Sequence, residues 1–246
     1  MARQKRLKSE TGIYHVMLRG INKQQVFFDD DDYFMFLDVL SKCKIIGGFK
    51  LHAYCLMNNH VHLLIQEGEE PLAESFKRMG DMFVYWYNSS HKRSGAVFQG
   101  RYKSIPVNDD EYYISVIRYI HQNPVKAGIV ESCSEYKFSS YNSYFKTSFV
   151  DTGFALELIG IDEFIRLHNE PCCDMHLDID ENETVKLNDI EAQRVVKRIS
   201  KCESVEEFKS LPDDAKKEYV ELLKQQGVSV RQLVRLTGVS YRMASK

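Results

Sequence analysis

Hydrophobic and polar positions along the first half of the chain switch repeatedly between a period of two and a period near 3.6. GIYHVMLRGI (12–21) alternates and is β-rich, which predicts a strand. The aspartates at 29–32 then precede an apolar face of Tyr33, Phe36, Leu37 and Leu40, and Gly47-Gly48 close it, which predicts a capped helix. An Asp run also raises calcium, but an EF-hand loop needs alternating ligands and a closing glutamate; position 40 is Leu40, so capping is preferred. FKLHAYCLM (49–57) and HVHLLIQEG (60–68) read as strands joined tightly by Asn58-Asn59, a hairpin. Residues 71–93 open on Pro71 and run with helical spacing. VFQGRYKSIPV (97–107) predicts a fourth strand, and residues 109–124 a helix that stops at Asn123-Pro124. The order βαββαβα implies an α+β fold, an antiparallel sheet flanked by helices.

Beyond Tyr141 the pattern weakens. A short helix is expected near 155–168, followed by an acidic linker over 170–191. HNEPCCDMH (168–176) offers His168, Cys172, Cys173 and His176 as a metal cluster, but without a second Cys pair a linker is the better reading. The tail is more regular. Gly227, Ser229 with Gln232 three residues on, Gly238 and Ser240 give the start and stop signals of a helix-turn-helix. The chain is therefore divided into a main domain at 1–145, a connecting region at 146–200 and a small all-α domain at 201–246.

Composition adds limits. At 246 residues, 43% hydrophobic and 28% charged, the chain can bury a substantial core. No apolar run is long enough to span a bilayer, so no membrane partner is expected. The basic N-terminus has no apolar segment behind it, so no signal peptide is expected, and six scattered cysteines fit reduced thiols in a cytoplasmic protein. The net charge of −2 is unevenly spread. Residues 1–150 carry 19 Lys+Arg against 16 Asp+Glu, and residues from 215 onward carry 7 against 2, the latter including Arg231 and Arg242. Basic ends around an acidic middle suit a nucleic-acid binder.

The chemistry centres on NNHVHLLI (58–65). Residues two apart in a strand share a face, so His60 and His62 present two imidazoles side by side, a pair suited to a divalent metal. Two ligands need a third. On the helix at 109–123, Tyr112 and Tyr113 align with Val116 and Ile117, whereas Tyr119 aligns with Asn123, a side-chain carbonyl. Spacing alone leaves open that Tyr119 is a core residue and Asn123 the end of a helix. Arg101 and Lys103 alternate with Tyr102 and are candidates for phosphate contact, as is a basic arm of Arg3, Lys5, Arg6 and Lys8.

MNNHVHLLI (57–65), FQGRYKS (98–104) and YIHQNPVKAG (119–128), with YHVMLRGINKQQVFF (14–28), resemble the single-tyrosine HUH transposases, and among them the REP-associated tyrosine transposases. The resemblance covers roughly residues 10–145; Asn58 departs from it, standing where the family often has proline. It implies a ferredoxin-like HUH endonuclease fold, with His60, His62 and Asn123 as metal ligands, Tyr119 as nucleophile and Mg²⁺ or Mn²⁺ as cofactor. It further implies nicking and rejoining of single-stranded or hairpin DNA through a 5′-phosphotyrosine, by a monomer or homodimer. Arg101, Lys103, Arg231 and Arg242 are taken as DNA contacts. The alternative is a domesticated nucleic-acid binder or repressor without transposition activity.

Overall fold

The computed structural model describes residues 6–170 and, in the C-terminal part, 193, 196–197, 199–202, 204–225, 228 and 230–245. It forms two compact units, Met1–Leu177 and Asp178–Lys246.

The first unit is built on four strands, β1 (Ile13–Arg19), β2 (Lys50–Leu56), β3 (His60–Gln66) and β4 (Lys103–Val107). They lie in the order β2-β3-β1-β4, and every neighbouring pair is antiparallel. β1 and β2 are therefore parallel across β3, as are β3 and β4 across β1, and each of those pairs is linked by a helix. These two interlocked split βαβ units define a ferredoxin-like α+β sandwich.

The linking helices are α1 (Asp30–Gly47) and α2 (Leu72–Ser90). They meet through Phe36 and Phe83, whose rings lie 5.1 Å apart and nearly perpendicular. The Asp run caps α1: the Asp29 side chain accepts the Asp32 amide, and Gly48 ends the helix at φ 65°. Asp32 is wholly buried; it accepts the Phe28 amide at 2.8 Å and pairs with His91 Nε2 at 2.7 Å. One acidic residue of the run thus ties the loop after β1 to the end of α2. The alternate β3 residues Val61, Leu63 and Ile65 are fully buried, so their face is the one α1 and α2 cover. The other face, carrying His60 and His62, lies under α3 (Asp110–Lys126).

Three expectations change. The fourth strand spans only Lys103–Val107 rather than 97–107, because Gly100 at φ 63° interrupts the extended run and leaves Phe98 as a single bridge to Gly20. The helix expected to stop at Asn123-Pro124 runs on to Lys126 and ends at Gly128. A proline in the last turn forfeits one hydrogen bond, and Ala127 N–H still reaches the Asn123 carbonyl. The main domain also does not close at 145. Residues 138–151 bond along β2, with Leu56 N–H to Phe138 O, Ser140 N–H to Tyr54 O and Asp151 N–H to Leu51 O, and so cover an otherwise open sheet edge. α4 (Gly153–Asn169) then stacks Phe164 on Tyr144 at 4.2 Å, bringing part of the expected connecting region into the core. His168, weighed above as a metal ligand, is buried and bonded to His121 at 2.9 Å; Cys172, Cys173, His176 and the acidic linker lie outside the described residues.

The second unit contains α5 (Val205–Ser210), α6 (Asp213–Gln225), α7 (Val230–Thr237) and α8 (Tyr241–Ser245) around Phe208, Leu223, Leu233 and Ala244. Gly238 turns the chain between α7 and α8 at φ 68°, where a β-carbon would lie 2.1 Å from Lys209 Cε. Ser240 caps α8 by accepting the Met243 amide at 3.3 Å. Among the described residues, no helix is long and apolar enough to cross a membrane.

Candidate active site

β1 and β3 set the site by register. Met17 pairs with His62 and Arg19 with His60, and paired residues share a face. Four side chains therefore line one end of the sheet beneath α3: His60 and His62 from β3, and His15 and Arg19 from β1. The two β3 imidazoles lie 4.9 Å apart, edge to face. His62 is buried, and His15 Nε2 lies 3.0 Å from its Nδ1. Tyr119 reaches down from α3, its ring 5.4 Å from that of His62 and 5.8 Å from that of His15, all within one chain.

Asn123 stands one turn beyond Tyr119, half-buried, its Nδ2 donating to the Tyr119 carbonyl at 3.4 Å. Its amide oxygen is the atom suited to a cation. Lys126, on the same helix face, places Nζ 4.8 Å from the centre of the Tyr119 ring. Tyr119 is only 1% exposed, so a substrate reaches its hydroxyl only after local opening around the last turns of α3. The other two tyrosines of the helix do different work. Tyr113 packs against His52 and Phe154, and burial pushes its phenol far above the ordinary value; Tyr112 is half-buried and also raised by desolvation. His121 is turned away, bonded to His168 and Ser140.

The donor set fits a divalent cation. His62 Nε2 is a buried nitrogen with no hydrogen-bond partner among the described residues. Burial, reinforced by His60, His15 and Arg19, holds the His62 imidazole well below its usual pKa, so it is neutral, as ligation requires. Its Nδ1 proton can go to His15, which leaves Nε2 of His62 as the atom available to a cation, while His60 Nδ1 lies 2.6 Å from Asn59 Oδ1. Among the described residues no three His, Cys, Asp or Glu side chains are arranged to hold a metal, and the Asn123 amide supplies a neutral oxygen donor one helical turn beyond Tyr119.

Lys103 pairs with Met17 on β4, which puts it on the His62 face at the surface, and Arg101 is exposed just before it. Tyr102 points the other way, onto Phe76, as the alternation predicts. Arg6 does not hang free: its guanidinium lies 3.7 Å over the Tyr102 ring and donates to the Tyr102 carbonyl. Arg3 and Lys5 lie outside the described residues. In the second unit Arg231 is exposed on α7, and Arg242 lies in α8, its side chain outside the described set. A larger cavity of about 530 Å³ opens at the opposite end of the sheet, lined by Gln66, Tyr113 and four carboxylates (Asp109, Asp110, Asp151 and Glu157) with Lys50 the one cation, a poor environment for a phosphate.

Sequence reasoning missed His15, Arg19 and Lys126. Ile13, His15, Met17 and Arg19 alternate onto one face of the first strand, but only the register with β3 brings that face beside His60 and His62. Replacing His15 with alanine is expected to raise the metal concentration needed for activity by about 10–100-fold while leaving maximal activity largely intact. A metal titration of the variant checks this; an unchanged requirement would reduce His15 to packing.

Residues 8–123 match the family model described as "Transposase IS200 like". The chain is 28% identical over 105 residues to a candidate REP-associated tyrosine transposase of Haemophilus influenzae, which covers 38% of this chain and 60% of that protein. It is 22% identical over 138 residues to the REP-associated tyrosine transposase of Escherichia coli K12, covering 55% of this chain and 79% of the relative. The fold is similar to a solved REP-associated tyrosine transposase bound to a REP hairpin, with a TM-score of 0.52 at 19% identity over 62% of this chain and 90% of that one.

Proposed function

We propose that the chain, whose residues 8–123 match the IS200-like transposase model, is a DNA transposase that nicks and rejoins single-stranded or hairpin DNA through a covalent 5′-phosphotyrosine. The observation that carries this reading is Tyr119 on α3 facing the His60–His62 pair, with the rings of Tyr119 and His62 5.4 Å apart. The REP hairpin held by the structural relative supports hairpin DNA as the substrate class.

His60, His62 and the Asn123 oxygen would hold Mg²⁺ or Mn²⁺; two imidazoles favour Mn²⁺ at least equally. The bound ion would withdraw charge from the scissile phosphate and fix its orientation. Arg19, Lys103 and Arg101 lie on or beside the same face and would engage the flanking phosphates. The Tyr119 oxygen attacks phosphorus, a P–O bond to tyrosine forms, and the P–O3′ bond breaks. The phenol loses its proton and the departing 3′ oxygen gains one. A phosphotyrosine conserves the phosphodiester energy, so a second 3′-hydroxyl can reverse the step and join DNA without a nucleotide cofactor. The test is incubation with labelled hairpin oligonucleotides from the gene's own flanks, with Mn²⁺, Mg²⁺ or EDTA. A metal-dependent protein–DNA adduct supports the reading, and binding without cleavage under any metal favours a domesticated binder.

The second unit is proposed as a DNA-contacting module, with Arg231 and Arg242 among its contacts. Removal of residues 178–246, cut at the unit boundary so that the Phe208–Leu223 core is not split, is expected to spare nicking and weaken or respecify binding. Filter binding on a panel of oligonucleotides checks this, and unchanged affinity on all of them would make the unit a packing element.

A further inference from the structure

A second cavity, of about 390 Å³, lies between the loop after β1 and the end of α2. Its lining is unlike that of the acidic cavity: Gln24, Gln25, Phe28, Tyr87, His91 and Arg93, with no carboxylate among them. Phe28 is 61% exposed, a large ring held in the open. The buried Asp32 keeps it there by accepting its amide with one oxygen while the other holds His91, whose ring lies 5.8 Å from that of Phe28. The guanidinium of Arg93 sits 5.4 Å above the Tyr87 ring. Gln25 spends its amide nitrogen on the Phe27 carbonyl at 2.7 Å, which leaves its oxygen as an acceptor, and the Gln24 side chain is exposed at the rim.

The loop is also fixed to the catalytic turn. Val26 and Phe27 N–H both donate to the Asn58 carbonyl, at 2.8 and 3.0 Å, Gly20 N–H donates to the Asn59 carbonyl at 2.8 Å, and Asn59 Nδ2 reaches the Lys23 carbonyl. Asn59 directly precedes His60. The cavity is therefore joined through this loop to the turn that leads directly into His60.

We propose that this cavity receives one unpaired base flanking the cleaved phosphate, stacked on Phe28, with its edge read by Gln24 and Gln25 and its phosphate met by Arg93. Aromatic faces stack on any base, while side-chain amides match the adenine edge best, so an adenine is the expected occupant. The inference rests on the proposed single-strand nicking function.

The test places 2-aminopurine, a fluorescent isomer of adenine, at each unpaired position of the hairpin oligonucleotides in turn. With the full-length protein, quenching on binding is expected at one position. Phe28→Ala should abolish that quenching and weaken binding about tenfold, whereas Phe28→Trp should retain both. An abasic site at that position should cost wild type a similar factor and cost Phe28→Ala nothing more. Because Phe28 is exposed, the melting temperature should not move. A Tyr119 adduct forming normally, with no position distinguishing wild type from Phe28→Ala and affinities within about twofold, would overturn the base pocket and leave the nicking function standing. Absence of both adduct and binding would overturn both.

Discussion

Replacing Tyr119 with phenylalanine is expected to eliminate the covalent adduct completely while changing DNA affinity by no more than about twofold. The substitution removes only the hydroxyl. The ring that packs edge-on against His15 and His62 remains, so the buried contacts around it are preserved and the fold should be too. The effect is all-or-none because, among the described residues, the other tyrosines of α3 do not face the His60–His62 pair. Tyr113 is buried against His52 and Phe154 on the wall of the other cavity, and its raised phenol pKa makes it a poor nucleophile. Denaturing gels with end-labelled hairpin DNA read the adduct directly. An adduct that survives in Tyr119→Phe would move the nucleophile elsewhere, and peptide mapping of the tyrosine-linked DNA would identify it.

The same helix shows how far sequence alone could go. Spacing set Tyr119 apart from Tyr112 and Tyr113, since its fourth neighbour is the polar Asn123 while theirs are Val116 and Ile117, but left open that it is a core residue; the structure puts it, rather than the other two, against the paired histidines. The pairing of His60 with His62 was legible because the side-chain period of a strand is two, whatever sheet it joins. His15 was not, because one histidine in an alternating strand means nothing until register is known. Only the pairing of Met17 with His62 sets His15 diagonally beside the buried His62. The domain boundary failed for a related reason. Residues 138–151 carry no periodic signal, since they dock by backbone bonds along β2 and by rings such as Tyr144 on Phe164, contacts that belong to tertiary structure alone. Local dihedral effects explain the smaller misses, where Gly100 broke a run that looked continuous and Pro124 was tolerated within a last helical turn.

Removing either proposed imidazole ligand is expected to reduce adduct formation by at least about a hundredfold, because the charge building on the phosphate loses its main stabiliser. The two substitutions are not equivalent physically. His60 is half-buried and its Nδ1 contact is to the neighbouring Asn59, so His60→Ala should leave the fold intact and is the cleaner test. His62 is fully buried, touches Tyr119 and holds His15, so His62→Ala opens a cavity beneath Tyr119 and strips His15 of its 3.0 Å partner. A loss of stability of about 1–3 kcal/mol is expected there in addition to the loss of activity. Thermal melting with and without Mn²⁺ separates the two effects. Wild type should gain stability from the ion by mass action, His60→Ala should melt near the metal-free wild type and gain little, and His62→Ala should melt lower and gain little. Full turnover in His60→Ala, or an undiminished Mn²⁺ shift in both variants, would remove these two residues from the metal site and would leave the buried, unpartnered His62 Nε2 without a function.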